Sequence, residues 1–145
     1  MKKHKDLLEI LRSNSMRITP ARRVLLQYIL DHKTRQISIH EIQGFLDRQI
    51  KGVDRSSVYR NLDTFQKLGI IQELVFPKLG KRFQYVLDRK VHHFYICKSC
   101  GKANRGNEKL FDKIEGALQE VHGFSKANLS VVFYGTCSSC LKRSK

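Results

Sequence analysis

The sequence predicts an α+β chain of two small units. An N-terminal winged helix-turn-helix spans residues 1–87, and a C-terminal α/β unit with a structural zinc site spans residues 91–145, joined by a hinge at 88–90. Three observations predict this. Four amphipathic helix signals, three of them capped, are followed by a two-stranded pattern. Strand and helix patterns then alternate over the last third. Two C-x-x-C pairs bracket that last third. A length of 145 residues allows one domain or two small ones.

The elements follow in order. Leu7, Leu8, Ile10 and Leu11 share one face of a first helix. Thr19-Pro20 opens a second, with Thr as N-cap and Pro at the first helical position. Its Val24, Leu25, Tyr28 and Ile29 recur as on a buried face. Ser38 and Glu41 form a capping box that opens a third helix, bearing Ile42, Phe45 and Leu46. Asp54 or Ser56 caps a fourth, which carries Val58, Leu62, Phe65 and Leu68 and stops at Gly69. Strand-like runs at Ile70–Phe76 and Lys81–Leu87 flank a turn at Pro77–Gly80. Short helices followed by a hairpin describe a winged helix, with a generic α+β domain bearing a solvated basic face as the alternative. Asp88-Arg89-Lys90 is polar and reads as a hinge. Beyond it, His92–Ile96 reads as a strand. Asn107 caps a helix bearing Leu110, Ile114, Leu118 and Val121 and ending at Gly123, and Leu129–Tyr134 closes the unit as a strand. So small a unit needs a staple or a partner subunit.

Charge narrows the partner class. The chain carries 28 Lys and Arg against 13 Asp and Glu, a net charge of +15. The excess runs through both units, with 19 basic and 9 acidic residues in 1–90 and 9 and 4 in 91–145. Such a balance points to a polyanion. Interleaved apolar residues and only two prolines argue against disorder. No apolar run approaches the ~20 residues of a membrane span. The basic start, Met1–Lys5, is followed by Asp6-Leu7-Leu8-Glu9, which places acids where a signal peptide has its apolar core. A cytoplasmic chain with reduced thiols is expected.

All four cysteines lie in the pairs Cys97/Cys100 and Cys137/Cys140. Each C-x-x-C turn places two thiolates close enough to share an ion, and two turns supply the tetrahedral sulfur set that Zn²⁺ prefers. Gly101 after the second Cys lets the backbone turn tightly around the metal. A disulfide pair fits poorly with a reducing compartment, and a redox motif needs a single pair in a βαβ context. Four sulfurs close the coordination sphere, leaving no position for a catalytic water. One zinc per subunit is therefore expected in a structural role.

The order of these parts resembles the ferric uptake regulator (Fur) family of metal- or oxidant-responsive transcription factors, over about residues 5–140. The resemblance is carried by Met16-Arg17-Ile18-Thr19-Pro20-Ala21-Arg22, Ser57-Val58-Tyr59-Arg60-Asn61-Leu62, Gly80-Lys81-Arg82-Phe83, Ile96-Cys97-Lys98-Ser99-Cys100-Gly101-Lys102 and Phe133-Tyr134-Gly135-Thr136-Cys137. It implies a winged helix hinged to a C-terminal α/β dimerisation domain. It also implies a homodimer, most often a repressor, on double-stranded DNA at an A·T-rich palindromic operator. The DNA contacts then fall on Tyr59 and Arg60, near the start of the recognition helix. A Tyr ring packs on thymine methyls, and Arg forks to a guanine or a phosphate. Arg17 matches the basic residue that enters a narrow A·T minor groove, and Ser56 and Ser57 can bond phosphates. No aromatic RNA-binding signature and no membrane-surface helix is present.

The sequence departs from the family at its sensing site, which the resemblance places between the domains with imidazole and carboxylate ligands for Fe²⁺, Mn²⁺ or Zn²⁺. The expected ligand positions hold Gln36, Gln84, Phe94 and Arg105, and a further one holds Leu129. Only His92 matches. Gln offers one neutral oxygen, Phe none, and Arg105 repels a cation. A vestigial site, with regulatory Fe²⁺ or Mn²⁺ weak or absent, is the favoured expectation. The alternative is a metal- or peroxide-responsive regulator with a relocated site, in which a bulge brings His93 into the vacant position. In an unbulged strand His92 and His93 point to opposite faces. His40, Asp88, Asp112 and His122 are looser candidates. A zinc enzyme would need an open metal site and a general base. The chain has no H-E-x-x-H, nucleophile elbow or phosphate loop, so no catalysis is expected. A zinc-containing RNA-binding protein is the distant alternative.

Overall fold

The computed structural model describes residues 2–87, 92–124 and 130–143. The elements run α1 (Lys2–Ser13), α2 (Pro20–Asp31), β1 (Ile37–Ser38), α3 (Ile39–Gln49), α4 (Arg55–Lys67), β2 (Ile71–Phe76), β3 (Gly80–Tyr85), β4 (His92–Cys97), β5 (Ala103–Arg105), α5 (Glu108–His122), β6 (Ser130–Gly135) and α6 (Ser138–Arg143). The fold is α+β. The chain divides into two compact units, Met1–Leu74 with Lys81–Asp88 and Val75–Gly80 with Arg89–Lys145. The hinge expected at 88–90 lies outside the described residues, as does Leu129.

In the first unit each expected cap is in place. Thr19 Oγ1 accepts from the Arg22 N–H at 3.2 Å. Ser38 Oγ accepts from Glu41 N–H, and the Glu41 carboxylate accepts in return from Ser38 N–H. Asp54, rather than Ser56, caps α4, accepting from Ser57 N–H at 2.8 Å. Each cap satisfies donors that a helix start leaves unpaired. The apolar faces of the four helices meet in one core, where Leu7, Leu11, Leu26, Ile42, Leu62 and Phe65 are buried. A three-stranded sheet of order β1-β3-β2 closes it. Ile37 lies opposite Phe83 and Ser38 opposite Arg82. The two-residue β1 carries no sequence signal of its own, because so short a strand has no periodicity.

The second unit is a sheet of order β5-β4-β6, with β4 antiparallel to β5 and parallel to β6. A parallel pair needs a crossover, and α5 lies in it. Among the described residues of α5 Phe111 is buried, whereas the apolar stripe is only partly covered: Ile114 and Leu118 are half-buried, Leu110 is exposed and Val121 is 73% exposed. Gly106 is required by packing, since a Cβ there would run into the Phe111 ring. Among the described residues no helix is long and apolar enough to cross a membrane.

Candidate metal centre and nucleic-acid interface

The four cysteines converge at one end of the second sheet. Cys97 ends β4, and Cys100 lies in a turn closed by Gly101 N–H donating to Cys97 O at 2.9 Å. Gly101 takes φ +76°, a left-handed conformation that glycine adopts without strain. Lys98 N–H donates to Gly135 O at 2.7 Å, which ties this turn to the end of β6. Cys137 leaves β6, and Cys140 sits on α6. The four sulfurs lie within 4.8 Å of one another, and Cys100 Sγ is 3.9 Å from Cys137 Sγ. A tetrahedron with Zn–S bonds of ~2.3 Å has sulfur–sulfur edges of about 3.8 Å, so the donor set fits structural zinc.

The thiols of this cluster differ from one another. N–H donation from Cys100 and Cys137 pulls Cys97 down to about 6, and Cys137 N–H lies 3.3 Å from its sulfur. Cys140 is pushed up to about 12 by the neighbouring Cys137 sulfur and by burial. Sulfurs this crowded repel one another as thiolates, and a divalent cation removes that repulsion. Lys102 and Arg143 line the adjoining cavity, where their positive charge would offset the remaining negative charge of a four-thiolate zinc centre.

In the first unit α4 shows two faces. Val58, Leu62 and Phe65 are buried, together with the side chain of Asn61. Ser56, Tyr59 and Arg60 are exposed, Tyr59 at 43%. Arg60 Nη2 donates to Ser57 Oγ at 3.1 Å, which holds the guanidinium over the first turn of the helix. Arg17 is exposed on the segment between α1 and α2. A groove of about 570 Å³ runs between the start of α2 and α4, lined among others by Thr19, Arg22, Ser57, Arg60 and Thr64. Basic and hydroxyl groups along a concave face suit a DNA backbone.

The positions singled out as altered fall in both units. In the first, Gln36 and Gln84 bond each other, Gln36 Nε2 donating to Gln84 Oε1 at 2.8 Å. Gln84 is 1% exposed, and its Nε2 donates to Lys33 O at 2.9 Å and Tyr85 O at 3.3 Å. Those two carbonyls fix the orientation of the amide. In the second unit, Phe94 is buried and pairs in register with exposed Arg105. His93 is 3% exposed, stacks on Phe111 with ring centres 3.9 Å apart, and accepts the Val131 N–H on Nδ1 at 3.2 Å. The pairing of β4 with β6 is continuous from His92 to Cys97, without the bulge that a relocated His93 would need. The side chain of His92 lies outside the described residues.

A model of the ferric uptake regulator family matches residues 13–134. The chain belongs to that family. It is a DNA-binding transcriptional regulator rather than an enzyme. Among its relatives are the peroxide operon regulator of Bacillus subtilis, 29% identical over 139 residues (96% of this chain and 94% of that one), and the peroxide-responsive repressor PerR of Staphylococcus saprophyticus, 29% identical over 135 residues (93% and 89%). Its fold is similar to that of the Helicobacter pylori ferric uptake regulator Fur, with a TM-score of 0.72, 19% identity and coverage of 97% of this chain and 93% of that one. It is also similar to PerR from Streptococcus pyogenes, with a TM-score of 0.53, 24% identity and coverage of 94% and 92%.

Two features of this Fur-family chain escaped sequence reasoning. Gln36 and Gln84 were each legible as substitutions, but not as partners 48 positions apart. Arg22 donates from Nε to Asn61 Oδ1 at 2.9 Å and from Nη1 to Arg17 O at 2.6 Å. Nothing in the spacing of these residues signals that bridge.

Proposed function

We propose that the chain is a cytoplasmic, homodimeric repressor whose DNA binding does not depend on a regulatory metal. Residues 1–87 form its winged-helix DNA-binding domain, 88–90 a hinge and 91–145 a zinc-stapled dimerisation domain. Arg17, Ser56, Ser57, Tyr59 and Arg60 contact an A·T-rich palindromic operator. Cys97, Cys100, Cys137 and Cys140 hold one structural zinc per subunit. Two apolar residues of α5, Leu110 and Val121, are exposed in the single chain, which supports the dimer.

One observation carries the metal-independent part of this reading. The Gln84 amide is buried and already bonded, with Oε1 to Gln36 and Nε2 to two backbone carbonyls. A cation entering there would break the Gln36 bond and gain a neutral oxygen in place of an anionic ligand. Burial of His93 and the donation of Val131 N–H to its Nδ1 weigh against a rebuilt site at His93.

Selection of duplexes from a random library tests the regulator reading, with scrambled DNA and RNA as competitors. A palindromic, A·T-rich sequence binding two chains is expected. Arg60→Ala and Tyr59→Ala should each cost roughly 1–3 kcal/mol on that duplex. Equal affinity for scrambled duplexes, or preference for RNA, would overturn it.

A further inference from the structure

The bridge made by Arg22 joins two elements that the DNA-binding reading treats separately. One is the arm of residues 14–19, which displays Arg17. The other is α4, which displays Tyr59 and Arg60. The arm is fastened at its start by Asn14 N–H to Ile10 O, Ser15 N–H to Arg12 O and Met16 N–H to Leu11 O, at 3.2, 3.0 and 2.8 Å. Ser15 takes φ +59°, a conformation that non-glycine residues seldom adopt and that the adjoining bonds hold. Its end is fastened by the Thr19 cap.

Between those ends, the Arg17 carbonyl is held by Arg22 Nη1 at 2.6 Å. The same guanidinium reaches Asn61 at 2.9 Å through Nε. Asn61 is 8% exposed and immediately follows Arg60 in the chain. Its buried amide oxygen therefore has a charged donor, and that donor is anchored to the arm. A guanidinium is planar, with donors in a fixed fork, so its two acceptors are held at a set separation. A Lys ammonium keeps the charge but puts all its donors on one nitrogen.

We propose that Arg22 is a positioning residue. It sets the register between the arm carrying Arg17 and the helix carrying Tyr59 and Arg60, so that both meet the duplex pre-aligned. This rests on the reading that both elements face DNA. It differs from a plain phosphate contact, which a Lys at the same position would keep, because the effect runs through Arg17 and Asn61. Elements aligned before binding lose less freedom on the duplex, so the alignment appears as specificity.

A double-mutant cycle tests it in the full-length, zinc-loaded protein. The probe is the duplex selected by the wild-type chain, and the readout is its affinity relative to a scrambled duplex of equal composition. In wild type, Arg17→Ala should lower that ratio by about 10-fold. In an Arg22→Lys background the same change should lower it by no more than about 2-fold, because the arm is already unregistered. Asn61→Leu, which removes the acceptor at the other end, should uncouple Arg17 in the same way. A purely structural Arg22 would lower the thermal midpoint and leave the cost of Arg17→Ala unchanged in both backgrounds. That result, or an Arg22→Lys protein with wild-type specificity, would overturn the proposal while the regulator reading stands. A wild-type chain that prefers no duplex would overturn both.

Discussion

Two sites in this chain fasten distant segments together by opposite means. The cysteine cluster joins the end of β4 to the end of β6 and α6 with four sulfurs. These become mutually repulsive when ionised and compatible when a divalent cation sits among them. The Gln36–Gln84 pair joins the segment before β1 to β3 with two neutral amides, the NH₂ of one donating to the oxygen of the other. A set of like anionic ligands needs an ion to close. A donor and an acceptor close on each other. The Fur-family resemblance places sensing ligands at Gln36 and Gln84, so under the proposed function the contrast is between one metal site kept for architecture and one position given over to a hydrogen bond.

The largest effect that can break this comparison is loss of zinc. Cys97→Ser should release the metal and unfold the second unit, because binding energy at a structural zinc is folding energy, of order 10 kcal/mol. Zinc content and near-ultraviolet circular dichroism check it. A variant that stays folded and zinc-loaded would show the cluster to be dispensable. Gly106→Ala comes next. Its Cβ enters the Phe111 ring and should destabilise the second unit by about 1–3 kcal/mol in thermal unfolding, with zinc still bound.

Gln84→Ala sharpens the other half. It removes the partner of the half-buried Gln36 amide and one donor to the Lys33 carbonyl, so the first unit should lose about 1 kcal/mol whatever metal is present. If added Mn²⁺ stabilised the wild-type first unit more than it stabilised this variant, the amides would be ligands rather than a clasp.

The smallest effect is pH-dependent. Burial tends to raise the Glu41 carboxyl, but the Ser38 N–H and the Arg35 guanidinium, 3.1 Å away, hold it below its ordinary 4.5. A depressed carboxyl stabilises the folded chain above the unfolded-state value and loses that contribution as pH falls through the folded one. Wild type should therefore exceed Glu41→Gln in melting temperature at pH 7, with the gap closing below about pH 4.5. A gap independent of pH would remove the carboxylate from the explanation.

Local chemistry was legible in the sequence wherever it acts over a few residues. Thr19, Ser38, Asp54 and Asn107 cap their helices because capping is a matter of the next three positions. The cysteines were legible because metal spacing is short-range within each pair. What stayed hidden depends on closure in space. The Gln36–Gln84 clasp forms only when β3 pairs with β1, and the Arg22–Asn61 bond only when α2 packs beside α4. Phe111 is buried in the second unit, whereas of the regular apolar stripe Leu110 and Val121 are exposed and Ile114 and Leu118 half-buried. Periodicity shows that a helix has an apolar face, but not which neighbour covers it.

In the proposed function, DNA binding runs without a regulatory metal. An allosteric ligand shifts an equilibrium only by its differential affinity for the two states, and an ion without anionic ligands has little to contribute. The constructive test is the quadruple variant Gln36→His, Gln84→Asp, Phe94→His and Arg105→Asp, in which metal-dependent binding should appear. The direct test is fluorescence anisotropy of the zinc-loaded wild-type protein on its selected duplex, titrated with Mn²⁺ or, without oxygen, Fe²⁺. The account predicts an affinity unchanged within about 2-fold. A response of about 10-fold or more, roughly 1.4 kcal/mol of coupling, would contradict it.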